Sequence, residues 1–470
     1  MKKNFYIVFQ LVIFKFIFLS SFIWAQNENT ITIIGRELIG RVENGEMIRE
    51  VIGDVVLTQG NVVITCDRAI QFIERNDAKL MGNVIVRQDT LTIKTDEGFY
   101  FGNSRRAYSN KGVILDDKKV ILTARIGEYF FNEQYADFEE NVKLVDAAST
   151  LTSERLIYYR RLDKAVAIDN VKIIDAENEI TADSLIHYRN EKMTYGFDNI
   201  KIKNFRNNTW IFGDRITDDR NKNYSLIDLN PLLVQIDSVK TKVGDSIIVT
   251  IDSLIIKSNK MESFRDTTNR FIATDSVLIV RGNFASRNDY TIYFRDKDKI
   301  ITNKKDGNSE PPILWFENSQ LSGDSITIFL KESKIDEIFI NRNALLVSEN
   351  ILFPKRFDQI SGSRIVLRFY DGKLSATEVF ENVLSIYFLY EGPDPNGAIK
   401  ASAKDAIIEI LDGRVDKVKL YGNPNSEFFP EILVRNKEKE FTLPRFQYFG
   451  SRPTREYLIQ INKKEKNIIE

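Results

Sequence analysis

The 470-residue chain has one cysteine and one histidine. A lone Cys66 cannot close an internal disulfide, so the fold must be held by packing. With His187 as the single imidazole, structural zinc chemistry has almost no ligands to use. No Asp-x-Asp-x-Asp-Gly loop is present to hold calcium, and neither a metal nor a cofactor is expected. An excess of one charge is missing too. The 66 basic and 67 acidic residues leave a net charge of -1, without the basic face that displaces counterions from nucleic acid, so nucleic acid is not expected as a partner. After residue 25 no segment approaches the roughly 20 apolar residues needed to span a bilayer.

What is present begins with an address. Lys2 and Lys3 precede an apolar run from Phe5 to Trp24, and Ala25 offers a small residue before Gln26. Residues 1–25 therefore read as a signal peptide cleaved after Ala25, with an uncleaved membrane anchor as the alternative. In either case the remainder is exported. A hydrophobic content of 43% with 11% aromatics is enough to bury a core.

The chain repeats. Val55, Val84, Val113, Val142, Val171, Ile200 and Leu229 follow one another at a step of 29. Ile64, Ile93, Leu122, Leu151 and Ile180 keep the same step, as do Phe72, Phe101, Phe130, Tyr159 and Tyr188. Ala78, Ala107, Ala136, Ala165 and Thr194 form a further column in register. Just before the first column stand Asp54, Asn83, Gly112, Asn141, Asn170, Asn199 and Asp228, residue types that tolerate positive φ, so the chain is expected to turn there.

Within a unit, Ile180-Thr-Ala-Asp-Ser-Leu-Ile-His-Tyr188 places apolar or small residues at even positions. That is the two-residue period of a strand with one buried face. A strand pair alone leaves its apolar face and its edges open, and stacking the repeats at about 4.8 Å per rung covers both. The expected fold is all-β: elongated, stacked antiparallel rungs with an inner stripe of aliphatic and aromatic side chains. In the second half, Gly213-Asp-Arg-Ile216, Gly244-Asp-Ser-Ile247, Gly323-Asp-Ser-Ile326 and Gly362-Ser-Arg-Ile365 keep the pattern while the step lengthens to about 40. Insertions in turns, at 303–312 and 391–396, are the expected cause. The expected organisation is a first array over 26–230, a looser one over 231–450, and a charged, fraying tail over 451–470.

The stretch Gly53-Asp-Val-Val-Leu-Thr-Gln-Gly-Asn-Val-Val-Ile-Thr-Cys-Asp-Arg-Ala69, followed by Ala78-Lys-Leu-Met-Gly-Asn-Val84, resembles the OstA-like family. That family includes a periplasmic lipopolysaccharide-transport protein and the N-terminal domain of its outer-membrane partner. The resemblance implies a bent β-jellyroll, or β-taco, that holds lipopolysaccharide acyl chains in an apolar groove. It also implies a periplasmic location and edge-to-edge stacking with other OstA-like domains, including an inner-membrane tether and an outer-membrane barrel protein. The chain lacks the alternating C-terminal strands of a barrel and reads as a bridge. Groove lining is expected from Ile64, Phe72, Ile93, Phe101, Leu122, Phe130, Leu151, Tyr159, Ile180 and Tyr188, for which core packing is the bland alternative.

The opposite parity carries Gln71, Tyr100, Tyr129, Tyr158 and His187, which places His187 in an aromatic column and away from catalysis. Asp67, Asp96, Glu154 and Asp183, with Arg125 in their midst, read as a solvated ladder. Cys66 shares its column with Thr95, Ala124, Ser153 and Ala182, whose common property is small size, so no reactive thiol is expected. A non-enzymatic lipopolysaccharide bridge is the leading reading. An exported β-repeat scaffold or adhesin without lipid, and a β-solenoid polysaccharide-active enzyme, are the alternatives.

Overall fold

The structure is a computed structural model that describes residues 30–206, 208–243, 246–306, 310–331, 334–411 and 414–461. The expected signal peptide, the Gly244-Asp245 pair and the tail beyond residue 461 lie outside the described residues. The described chain is nearly all antiparallel β-strand, as the alternation requires, and it divides into two compact units, Met1–Arg161 and Leu162–Glu470.

Unit 1 opens with β1 (Thr32–Ile34), β2 (Glu37–Glu43) and β3 (Glu46–Gln59), and continues with β4 (Val62–Phe72), β5 (Asp77–Gln88) and β6 (Leu91–Phe101). It then runs through β7 (Arg106–Ser109), β8 (Val113–Asp116), β9 (Ile121–Ala124), β10 (Ile126–Phe130), β11 (Tyr135–Val145) and β12 (Thr150–Tyr159). Each repeat supplies two strands. β6 pairs with both β7 and β8, and β11 with both β9 and β10, so each short pair is one strand interrupted at its middle.

The column of Asp and Asn residues corresponds to bends inside strands, not to the turns expected from sequence. Asp54, Asn83 and Asn141 have φ of 48°, 48° and 56°, each after another left-handed residue, Gly53, Gly82 or Glu140. In unit 2 Asn170 and Asn199 repeat the geometry at 51° and 48°, whereas at the next step the conformation passes from Asp228 to Asn230. At each bend the register shifts, as between Met81/Val84 and Thr65/Arg68. One strand fits three residues between inward positions where its neighbour fits two, which is the geometry of a bulge.

This bulge corrects the expected unbroken alternation. In β4 the buried residues are Val62, Ile64 and Cys66 before the bend, then Ala69 and Gln71 after it. In β12 they are Leu151 and Ser153, then Leu156 and Tyr158. Parity reverses on each strand that gives up two residues to the bend, because side chains alternate strictly and an odd gap moves them to the other face.

A second left-handed column lies at the hairpin ends. Asn76, Arg105 and Gln134 in unit 1 have φ of 57°, 46° and 56°, and Asp163 and Lys192 in unit 2 have 44° and 52°. Their carbonyls accept hydrogen bonds from the next rung, for example Gly102 N to Asn76 O at 2.9 Å and Arg160 N to Gln134 O at 3.0 Å. The residue types are too mixed to mark this column in the sequence.

Unit 2 lengthens its strands. Lys334–Glu349, Phe357–Tyr370, Lys373–Glu391 and Asp394–Leu411 run for 16, 14, 19 and 18 residues. The step of about 40 thus comes chiefly from strand extension; of the two expected insertions, the one at 303–312 does separate the strands Lys299–Asn303 and Ile313–Phe316, and the one at 391–396 does not. Glu391 pairs with Asp394 across a tight hairpin. The extended halves bury both faces. Leu346 packs on the inner cluster with Ile340, Ile365 and Val383, while Leu345 and Val347 pack outward against Val434, Phe441 and Leu443.

That outer layer is the C-terminal segment, from α1 (Glu431–Val434) to α2 (Arg455–Ile461). Two buried glutamines anchor it by standing in for a strand partner. Gln359 donates to Phe441 O at 3.0 Å and accepts from Leu443 N at 2.8 Å. Gln320 donates to Gln447 O at 2.7 Å and accepts from Phe449 N at 2.8 Å. Arg356 fixes the start of the segment through Glu431 at 2.6 Å and 3.0 Å, and Leu458 of α2 is fully buried. The segment after Arg452 therefore packs where fraying was expected, because Leu458 and Ile459 join the outer cluster of Leu232, Val234, Ile255 and Val280.

Candidate functional site

The aliphatic column faces inward in unit 1. Ile64 and Leu122 are 0% exposed and Ile93 and Leu151 are 5% exposed, a continuous apolar wall from rung to rung. In unit 2, Ile180 is half-buried between Ile173 and Ile202 on the equivalent strand half. Beside the wall residues of unit 1 in the sheet stand Leu57, Val86 and Leu144, their buried cross-strand partners. An internal void of about 20 Å³ touches Val86, Ile93, Tyr129 and Phe138, room for about one water-sized group.

The aromatic column stands on the other face. Phe72, Phe101, Phe130, Tyr159 and, in unit 2, Tyr188 are all half-buried beyond the bend, where parity has reversed. Their ring faces are occupied by cross-strand neighbours. Arg75 lies 4.2 Å over Phe72, Arg106 lies 4.3 Å over Phe101, and Phe130 stacks on Tyr135 at 4.4 Å. Tyr135 continues to Tyr159 at 5.7 Å, and Lys164 sits 5.3 Å over Tyr188. Such pairs seal an outer strand edge. The structure therefore brings the aliphatic residues together and does not bring the aromatics to them.

The place at the inner face goes to Gln71, Tyr100, Tyr129 and Tyr158, the column assigned by alternation to the other side. All four are nearly inaccessible, at 4%, 0%, 1% and 0% exposure. They meet a second polar column, Gln59, Gln88 and Asp117, also in step of 29. Tyr100 donates to Gln59 Oε1 at 2.6 Å, and Gln59 donates to Gly102 O at 3.0 Å. Tyr158 donates to Asp117 Oδ2 at 2.8 Å. Burial pushes the Tyr100 phenol up to about 12 and raises Tyr129 in the same direction, so both hydroxyls keep their protons.

These contacts join the two ends of a rung, since Gln59 closes β3 and Tyr100 lies at the end of β6. Arg105 adds a bond to Asn61 Oδ1 at 2.9 Å, and Arg160 one to Thr90 Oγ1 at 2.6 Å. Each rung is bent at its middle and laced at its tips. Unit 1 is an apolar trough whose mouth is held shut by a polar seam. The pairing distance of 41 residues between Gln59 and Tyr100 recurs for Asp117 and Tyr158, a signal the 29-residue columns alone did not reveal.

The remaining candidates resolve into structure. Cys66 Sγ donates to Arg68 O at 3.3 Å, Thr95 Oγ1 to Glu97 O at 3.2 Å and Ser153 Oγ to Arg155 O at 2.9 Å. Cys66, Thr95 and Ser153 thus satisfy a carbonyl at their bends, while Ala124 and Ala182 share only the small size. Burial pushes the Cys66 thiol up to about 11, away from a reactive thiolate. The acidic ladder is tied to the bends, with Asn83 donating to Asp67 at 2.8 Å and Asn199 to Asp183 at 2.5 Å. His187 Nδ1 lies 2.9 Å from Thr194 Oγ1. Among the described residues no group of three or more His, Cys, Asp and Glu side chains is placed to hold a metal.

Among the described residues, a strand edge stays open in each unit. In unit 1, β2 is exposed along its whole length and pairs only with β3, presenting Leu38 and Val42. In unit 2, Arg414–Tyr421 pairs only with Asp394–Leu411 and presents Val415, Val418 and Tyr421. Unpaired backbone beside exposed apolar side chains is a template for strand addition. No helix among the described residues is long and apolar enough to cross a membrane.

Residues 37–183 match the family model described as OstA-like protein. No curated protein matches the chain. The matched span begins at the open edge strand, takes in the bent, laced rungs of unit 1 and ends in unit 2. The OstA-like family is one of periplasmic transport and binding proteins, which fits a molecule whose inner face is apolar and whose polar residues are engaged in holding the rungs. Over residues 37–183 the chain is similar to the OstA-like family, which is of the lipopolysaccharide-transport type.

Proposed function

We propose that the protein is a non-enzymatic periplasmic bridge that takes lipopolysaccharide acyl chains into the trough and passes them toward the outer membrane. The observation that carries this reading is the unbroken inward wall of Ile64, Ile93, Leu122 and Leu151, shut only by a polar seam. The seam consists of a few hydrogen bonds, each worth about 1 kcal/mol net. A buried methylene contributes about 0.8 kcal/mol, so a chain of ten methylenes offers enough to part the walls. The edges at β2 and at Arg414–Tyr421 are the surfaces on which other OstA-like domains, an inner-membrane tether and an outer-membrane barrel protein would add strands. The leader, when intact, would anchor the chain at the inner membrane.

Depletion tests the reading in cells. Newly made lipopolysaccharide is expected to accumulate in the inner membrane as the protein disappears, measured by pulse labelling and membrane separation. Undiminished delivery to the surface would favour a lipid-free scaffold instead.

A further inference from the structure

The seam is complete at two of its rungs and incomplete at the one between. Gln59 bonds Tyr100, and Asp117 bonds Tyr158, but the equivalent pair Gln88 and Tyr129 does not close. Gln88 turns its amide nitrogen to Asn61 Oδ1 at 3.2 Å, which leaves Oε1 buried without a donor, and the Tyr129 O–H is buried without an acceptor. The two residues are 4% and 1% exposed, so bulk water does not reach them. Arg160, bonded to Thr90 Oγ1, also approaches the Tyr129 oxygen and partly offsets the burial-driven rise in its pKa; a guanidinium can only donate, so the phenol O–H still has no acceptor. Buried donors and acceptors without partners are uncommon because each keeps its desolvation cost, and here one of each stands in a single rung at the mouth of an apolar trough.

We propose that this rung is a binding site for the hydroxyl group of a hydroxylated acyl chain, which accepts from Tyr129 Oη and donates to Gln88 Oε1. The proposal rests on the reading of the trough as a lipid carrier. A hydroxyl fits because one atom both donates and accepts. A carboxylate or phosphate would meet the Gln88 carbonyl oxygen with like polarity, and the void of about 20 Å³, which Tyr129 lines and Gln88 does not, has no room for a head group. The methylenes on either side would lie against Val86, Ile93 and Phe138, which border the same void.

The test compares β-hydroxypalmitic acid with palmitic acid as competitors of a fluorescent acyl probe on the purified protein. The hydroxylated acid should bind about tenfold more tightly, the effect of about 1.4 kcal/mol. Tyr129→Phe and Gln88→Leu should each remove that preference while leaving palmitic acid affinity unchanged. Tyr100→Phe, whose hydroxyl already has Gln59, should retain it. Thermal melting checks the fold, and if Gln88→Leu fails to fold, Tyr129→Phe alone decides. Equal affinity for the two acids, or a preference that survives both substitutions, would overturn the site and leave it a place for a water. Failure of either acid to displace the probe would instead overturn the carrier reading, and the site with it.

Discussion

At the residue scale, small and polar side chains are fixed by the bend. Cys66 is held by its carbonyl partner and by burial, so Cys66→Ala should leave function intact and lower stability by about 1 kcal/mol or less. The measurement is a complementation assay beside a thermal melt; loss of function with a normal melt would assign the thiol a role. Asp358 offers a pH test in unit 2. Burial raises its carboxyl from 3.8 to about 6, although Phe388 N donates to it at 2.9 Å. Its folded state holds the proton more tightly than the unfolded chain, so its contribution is full below pH about 4 and is lost as the pH rises through about 6. Asp358→Asn, which keeps the acceptor, should be neutral at pH 4 and stabilising by about 1 kcal/mol at pH 7.5, the shift being discounted for a half-buried group. Denaturation at the two pH values reads this, and an equal effect at both would contradict it.

At the element scale, the rung is a strand bent by left-handed residues and laced at its tips. The inner corner of the bend leaves no space, which is why Gly362 takes the small position in unit 2. A Cβ there would lie 2.6 Å from Val379 Cγ1. Gly362→Ala should therefore destabilise by about 1–3 kcal/mol, measured by urea denaturation, and an unchanged midpoint would show that the strands can move apart. The same bend sets how far sequence reading reached. The period, the all-β class, the strand pairs and the inward aliphatic column were legible, since identical columns at a step of 29 survive any local irregularity. The facing of Phe72, Phe101 and Phe130 was not, because Asp67 and Arg68 fill a two-residue gap that reverses parity and looks like ordinary alternation. The hairpin column of Asn76, Arg105 and Gln134 shares a conformation but no chemistry. The C-terminal segment carries no repeat, so its docking through Gln320 and Gln359 was visible only in three dimensions.

At the scale of the whole molecule, what unit 1 offers is an inward aliphatic column closed by polar residues that are engaged in structure. On the proposed reading, passing an acyl chain from rung to rung requires only an inner face of uniform character. The decisive measurement is photo-crosslinking in cells with a benzophenone side chain placed at Leu122, inside the trough, or at Phe130, on the outer ladder. The account predicts that Leu122 captures lipopolysaccharide and Phe130 does not. Capture at Phe130 alone, or at neither position with the protein folded, would contradict it.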